Sequence, residues 1–304
     1  MKILVTGGSG FVGSHLVREL DHRGDEVLVI TRNPRNAWRL DGLDIAMIEG
    51  QLRDGDFVRD TVSSFAPSAI VHCGWAGLGE KNRNSEAQVS NLIIMRNILE
   101  AVVAARIPKL IGIGTQVEYG VHNKRLSEDT PSNTRDLYGT CKRAAGLLGL
   151  NYAEKYGFDY AWLRLFTAFG PMDSPNYILP YAIVSLLEGI APELSKCEQM
   201  WDYLYVKDVA RLIIKTLKRD EPFRGIYNLC SGKAVRLKDV ILAAREVIGG
   251  DIKPNFGAVK TIKGDLFFLE GDNTRFKDTF GWIKPTKLKQ AMAETVNWYQ
   301  IQIK

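Results

Sequence analysis

The sequence predicts an α/β fold in which a doubly wound parallel sheet carries a smaller mixed lobe towards its C-terminus. Three observations predict it. Short apolar runs of strand length alternate with segments of helical periodicity through the first half of the chain, to about residue 168. The first such run feeds a glycine turn, Gly7-x-x-Gly10-x-x-Gly13, which opens a helix. Beyond that stretch the rhythm loosens, and Pro171, Pro175, Pro180 and Pro192 punctuate the chain.

Taken in order, Ile3, Leu4 and Val5 read as a strand buried on both faces. Thr6 to Gly10 turn tightly, and residues 11–20 repeat apolar side chains at helical spacing, so Gly13 falls in the first helical turn. Backbone amides of Gly7, Gly10, Phe11, Val12 and Gly13 then converge on one point, where a pyrophosphate is held. The spacing is one residue longer at its front than the usual dinucleotide fingerprint, and the alternative is a strand–helix turn without a ligand.

Residues 26–30 form the second strand, followed by Thr31-Arg32-Asn33-Pro34. No acid stands at its end to accept from adenosine ribose hydroxyls. Arg32 stands there instead, with Arg35 and Arg39 beyond it, and a guanidinium suits the 2′-phosphate of NADP. NADP(H) is therefore the expected cofactor, with NAD(H) second. Residues 45–49 read as a strand, 56–65 as a helix and 69–73 as the fourth strand. Cys73, Gly74 and Trp75 lie at the end of this strand, where small residues let a cofactor approach the backbone; His72 reads as a packed core histidine.

Residues 91–106 are apolar around most of a helix, with Arg96, Asn97 and Glu100 as a narrow polar strip. Such a helix needs covering on two sides, by the sheet and by a second subunit. A fifth strand, residues 109–113, leads to Thr115, and Tyr138 opens a helix reaching about Tyr156. Residues 160–165 are the sixth strand. Later strands at 203–206 and 225–229 flank a helix at 207–218, and amphipathic helices follow at 237–248 and 288–299. Residues 1–168, with returning segments near 202–230, are expected to form the nucleotide-binding domain. Residues 169–304 form an interleaved, smaller substrate-binding lobe.

Composition limits the function classes. A net charge of +5 spread over 304 residues offers no basic block for nucleic acid. Cys73, Cys141, Cys197 and Cys230 show neither metal-ligand nor disulfide-framework spacing, so a cytoplasmic protein with reduced thiols and no metal is expected. The chain begins at once with its first strand and no apolar run is long enough to span a bilayer, so neither a leader nor a membrane partner is expected.

Tyr138 and Lys142 are four apart on a helix and share a face. An ammonium beside a phenol lowers its pKa and readies it for acid–base work, and Thr115 could hydrogen-bond the same substrate oxygen. The competing reading is a surface pair.

With these residues in place, the sequence resembles the extended short-chain dehydrogenase/reductases, the nucleotide-sugar epimerase/dehydratase/reductase group. The resemblance rests on residues 6–13, on Thr115 with Tyr119-Gly120, and on Tyr138-Gly-Thr-Cys-Lys142. Phe169-Gly170-Pro171, residues 201–210 and Gly281-Trp282-x-x-Pro285 complete it, so it spans nearly the whole chain. It implies a Rossmann-type fold, hydride exchange with a nicotinamide and a nucleoside-diphosphate sugar substrate. It also implies that Tyr138 is the acid/base, that Lys142 holds the nicotinamide ribose and that Thr115 binds the reacting oxygen.

Departures refine the subfamily. Gln116 and Val117 follow Thr115 where dehydratases carry an Asp-Glu acid and base, and Glu118, one position late, would point elsewhere. Trp201 replaces an arginine that contacts the nucleotide phosphates, with Arg275 as a compensating charge. Thr167 stands where many relatives have a substrate-facing asparagine, and Gln51 replaces an adenine-contacting aspartate. Thr115, Gln116, Thr167, Trp201 and Arg275 are thus the expected substrate contacts. Arg32 tilts the reading to an NADPH-dependent reductase of a nucleoside-diphosphate 4-keto-6-deoxy sugar. The alternative is a nucleotide-sugar 4-epimerase using bound NAD; a third is a non-catalytic dinucleotide-binding protein, against which the intact Thr115, Tyr138 and Lys142 argue. The helices at 91–106 and 138–156 are expected to pair with their copies in a homodimer.

Overall fold

The computed structural model describes residues 1–260 and 266–303. Seven strands make the main sheet: β1 (Lys2–Thr6), β2 (Glu26–Thr31), β3 (Ala46–Glu49), β4 (Ala69–His72), β5 (Lys109–Thr115), β6 (Asp159–Leu165) and β7 (Arg224–Leu229). All neighbours run parallel, in the order β7-β6-β5-β4-β1-β2-β3. The winding reverses between β1 and β4, and ligands of such sheets bind in the crevice at that reversal.

Helices cover both faces. On one, α1 (Phe11–His22) packs with α6 (Val206–Leu217), burying Leu16, Val17, Leu20, Val209 and Ile213 against Val5 and Val29. On the other, α2 (Gly55–Phe65), α3 (Ala87–Ala104) and α4 (Leu137–Tyr156) bury Val58, Met95, Ile98 and Ala145 against Leu4, Ile70 and Leu110. Burial on two faces explains the uninterrupted apolar strands.

Two expectations about α3 are corrected. Asn97 is not part of an exposed strip. It is buried, and its Nδ2 donates to the Leu52 and Arg53 carbonyls at 3.0 and 2.9 Å, leaving Arg96 and Glu100 paired on the surface at 3.4 Å. By length and composition α3 is also apolar enough to cross a membrane, with a mean hydropathy of 1.2 over 18 residues. The sequence reading started the helix four residues late, which shortened the run. Its inner side is spent on the sheet and on α2 and α4.

The second sheet is mixed. Its central strand, Met200–Tyr205, runs parallel to Thr167–Phe169 and Phe268–Gly271 and antiparallel to Ala234–Arg236. Beside it α5 (Ile178–Leu187), α7 (Leu237–Ile248) and α9 (Leu288–Ile303) share a third core around Leu179, Ile183, Leu237, Ile241, Met292 and Val296. The short α8 (Thr274–Phe280) buries Phe276 and Phe280 beneath β7. Helix α5 escaped the sequence reading because Pro180 looked like a breaker. It is the third helical residue, where the missing N–H has no intrahelical partner to lose.

Candidate active site

The glycine turn sits at the sheet's reversal point. Gly7 has φ of +69°, and a Cβ there would come within 2.5 Å of the Gly74 Cα. A Cβ on Gly13 would approach the Gly7 carbonyl oxygen to 2.2 Å. Both are therefore confined to glycine, which draws the turn against the end of β4. Gly10 caps α1 without a side-chain acceptor, so the first-turn amides of Phe11, Val12 and Gly13 stay available to an anion. Behind the turn, Thr6 Oγ1 and His72 Nδ1 lie 2.6 Å apart, and burial lowers the imidazole pKa to about 3. His72 is a core group. Cys73, beside Gly74, has its thiol pushed up to about 12 by burial and is chemically quiet.

A cleft of about 350 Å³ at the end of β2 is lined by Ser9, Thr31, Arg32, Asn33 and Asn36, with no carboxylate in its wall. Arg39 is not available to it. Its Nε donates to the Met172 carbonyl at 2.9 Å, its Nη1 to the Ser9 carbonyl at 3.4 Å, and its guanidinium covers Trp38 at 4.3 Å. Trp38 in turn stacks on Trp298 of α9 at 6.1 Å, and Tyr299 donates its hydroxyl to the Asp173 carbonyl at 2.9 Å. Burial raises the Asp173 carboxyl to about 7.

Thr115 ends β5, and Tyr138 is the second residue of α4. Asp136 caps that helix, accepting from the Gly139 amide at 2.7 Å, and the Tyr138 amide donates to the Arg83 carbonyl at 2.9 Å. The phenol neighbours the Thr115 side chain, and its ring stands edge-on to Trp75 at 6.3 Å. Burial pushes the phenol up to about 12, against downward pulls from the Thr115 side chain and the Arg83 charge.

Lys142 departs from expectation. It shares the Tyr138 face of α4, but its Nζ turns to the Ile113 carbonyl at 2.6 Å and lies 4.0 Å from the Trp75 ring centre. Only 4% of the residue is exposed, and burial lowers its pKa to about 8. One turn deeper than the phenol, the ammonium takes the nearest acceptor on β5. Among the described residues the cation beside the phenol ring is Arg83, whose guanidinium carbon lies 5.4 Å from the ring centre.

Glu118 points inward. It accepts from the Thr115 amide at 2.8 Å, from Trp162 Nε1 at 2.9 Å and from Arg164 Nε at 2.8 Å, with no exposed surface. The carboxylate therefore fixes the residue that carries the Thr115 hydroxyl and contributes none of the chemistry in the cleft.

The remaining expected contacts are scattered. Gln116 follows Thr115 half-buried, and Thr167 is half-buried in the second sheet. Trp201 donates its Nε1 to the Leu266 carbonyl at 2.8 Å, so its polar end is already used. Arg275 is no spare cation: its Nη2 lies 2.8 Å from both Asp129 oxygens, which neutralise it. Gln51 is exposed. Sequence reasoning missed Arg83, Asp173 and Tyr177, which come from irregular segments without a motif. Among the described residues no cluster of potential metal ligands occurs.

Comparison with known proteins decides the family. A model of the NAD dependent epimerase/dehydratase family matches residues 3–230. The chain belongs to that family. Epimerase/dehydratase membership brings a nicotinamide dinucleotide as cofactor, and the uncapped α1, the glycine turn and the buried Lys142 fit one. Within the family, the chain is 29% identical to a UDP-glucose 4-epimerase of Erwinia amylovora over 98% of this chain and 97% of that one. It is similar in structure to a UDP-N-acetylglucosamine 4-epimerase of Methanobrevibacter ruminantium, with a TM-score of 0.88, 25% identity and coverage of 99% and 98%. A Thermus thermophilus UDP-glucose 4-epimerase solved with NAD superposes with a TM-score of 0.85 at 25% identity, covering 98% and 99%.

Proposed function

We propose that this protein is a nucleotide-sugar 4-epimerase that oxidises and re-reduces one sugar carbon with a nicotinamide coenzyme. The observation that carries the reading is the placement of Thr115, at the carboxyl end of β5, beside the buried Tyr138 phenol at the start of α4, with Glu118 withdrawn behind it. That arrangement holds one proton-transfer group and one orienting hydroxyl, but no second acid or base for eliminating water. The full-length likeness to 4-epimerases supports epimerisation over the reductase expected from Arg32.

Gly7, Gly10, Phe11, Val12 and Gly13 would hold the pyrophosphate, Cys73, Gly74 and Trp75 would border the dinucleotide, and Lys142 would bind the nicotinamide ribose. The bound nicotinamide supplies the acceptor and donor of hydride. Tyr138 takes the C4 hydroxyl proton as hydride leaves the carbon and returns it when hydride comes back to the opposite face. Thr115 hydrogen-bonds the same oxygen throughout, so charge developing there always has a donor. Gln116, Thr167 and Trp201 border the sugar side. Residues 1–168 with β7 form the coenzyme domain and most of the remainder the sugar lobe, working in the cytoplasm.

Incubation with UDP-glucose, UDP-galactose and their N-acetyl and uronic acid counterparts tests this. Interconversion at C4 without accumulation of reduced coenzyme is the expected result. Stoichiometric oxidation of NADPH by a 4-keto sugar nucleotide, with no interconversion, would replace the epimerase by the reductase. The acid-free Arg32 cleft favours that second reading, because a 2′-phosphate fits it. Arg32→Ala should weaken NADP(H) about ten-fold or more and leave NAD(H) nearly unchanged in a fluorescence titration, since one charge-assisted contact is removed. Equal losses for both would show that Arg32 does not select the phosphate.

A homodimer belongs to the same reading. Val89 and Ile93 on α3 and Leu147 on α4 are 50%, 46% and 39% exposed, apolar side chains left uncovered on two adjacent helices. Ile93→Asp should convert the dimer to monomers in sedimentation, and a monomeric parent protein at micromolar concentration would remove the assignment.

A further inference from the structure

Arg83 lies in the irregular segment between β4 and α3, outside every motif that marks this family in the sequence. Three contacts tie it to the start of α4. Its carbonyl accepts from the Tyr138 amide at 2.9 Å, its Nη1 donates to Asp136 Oδ2 at 3.0 Å, and its guanidinium carbon lies 5.4 Å from the Tyr138 ring centre. The next residue repeats the attachment, with Asn84 Oδ1 accepting from the Leu137 amide at 3.0 Å. Asp136 is shared: one carboxylate oxygen caps α4 through Gly139 and the other holds the guanidinium. The segment is thereby strapped to the helix end that bears the phenol.

Meanwhile Lys142 spends its ammonium on the Ile113 carbonyl and the Trp75 ring. The other ionisable groups acting on the phenol are Glu118, behind Thr115, and Tyr177, and both oppose its ionisation. Among the described residues Arg83 is the cation set against its ring.

We propose that Arg83 is a positioning residue for Tyr138: its guanidinium, held by Asp136 against the aromatic ring, favours the ionised phenol and sets the pH above which the site accepts a proton. This deepens the epimerase reading and rests on Tyr138 being its base. Asp136 sets the strength of the effect, since its negative charge offsets part of the guanidinium's. Partial exposure and that ion pair reduce the influence to about one pH unit.

The test reads Tyr138 itself in the NAD-loaded protein, by Cζ carbon NMR of labelled tyrosine, with Tyr138→Phe identifying the resonance. Arg83→Gln should move the titration up by about one pH unit. Arg83→Lys should restore most of it, and Asp136→Asn, which keeps a capping side chain, should move it down. The acidic, rising limb of the pH–turnover profile should follow in the same directions, with KM little changed. A titration unmoved by Arg83→Gln overturns the proposal, as does one in which Asp136→Asn shifts the same way as Arg83→Gln. No sugar is needed for this readout. Absent epimerisation with the shifts present would remove the functional reading and leave the Arg83 assignment standing.

Discussion

Tyr138→Phe is expected to lower turnover by about two to four orders of magnitude, the size of a lost general acid–base step. The substitution removes one oxygen and little else. The ring keeps its edge contact with Trp75 and its place beneath Arg83, and the backbone bond to the Arg83 carbonyl is untouched. Coenzyme affinity and thermal stability should therefore stay near those of the parent, as isothermal titration and calorimetry would show. A variant retaining half the parent rate would mean that another group moves the proton, and the assignment of the site would fall with it.

The largest loss of stability is expected at Glu118, far from any solvent. Glu118→Ala leaves the Arg164 guanidinium, only 5% exposed, without its counter-charge, and strands the Thr115 amide and the Trp162 indole N–H. Removing one partner of a buried ion pair costs about 3–5 kcal/mol. The midpoint of denaturant unfolding should fall accordingly, whereas Glu118→Gln, which retains an acceptor for the amide and the indole, should lose less. A drop under about 1 kcal/mol would show that water or Tyr119 compensates Arg164. Since the same carboxylate anchors the Thr115 backbone, reduced turnover in the surviving folded fraction should accompany the loss.

What the sequence disclosed was what neighbouring residues decide. The glycine turn, the two-face-buried strands and the placement of Thr115 before Tyr138 follow from local spacing, and the epimerase/dehydratase family follows from their combination. Directions taken by long side chains did not follow. Lys142 is one helical turn from Tyr138 in every α-helix, yet which acceptor its ammonium meets depends on β5 packing beneath α4. Asn97 looked like surface because its neighbours Arg96 and Glu100 are; only the passage of the Leu52–Arg53 backbone alongside turns it inward. Arg275 looked free until folding brought Asp129 to it. The Arg83 segment carries no periodicity at all, and its relation to the phenol exists only through the cap of α4.

The stacking of Trp38 on Trp298 has a bearing on the order of folding. It joins a loop after β2 to a helix 260 positions further along the chain. Until that helix docks, the loop carrying Trp38 lacks its outer support, so Arg39, which covers the same ring and reaches back to the Ser9 carbonyl, gains its setting only through a contact of very long range.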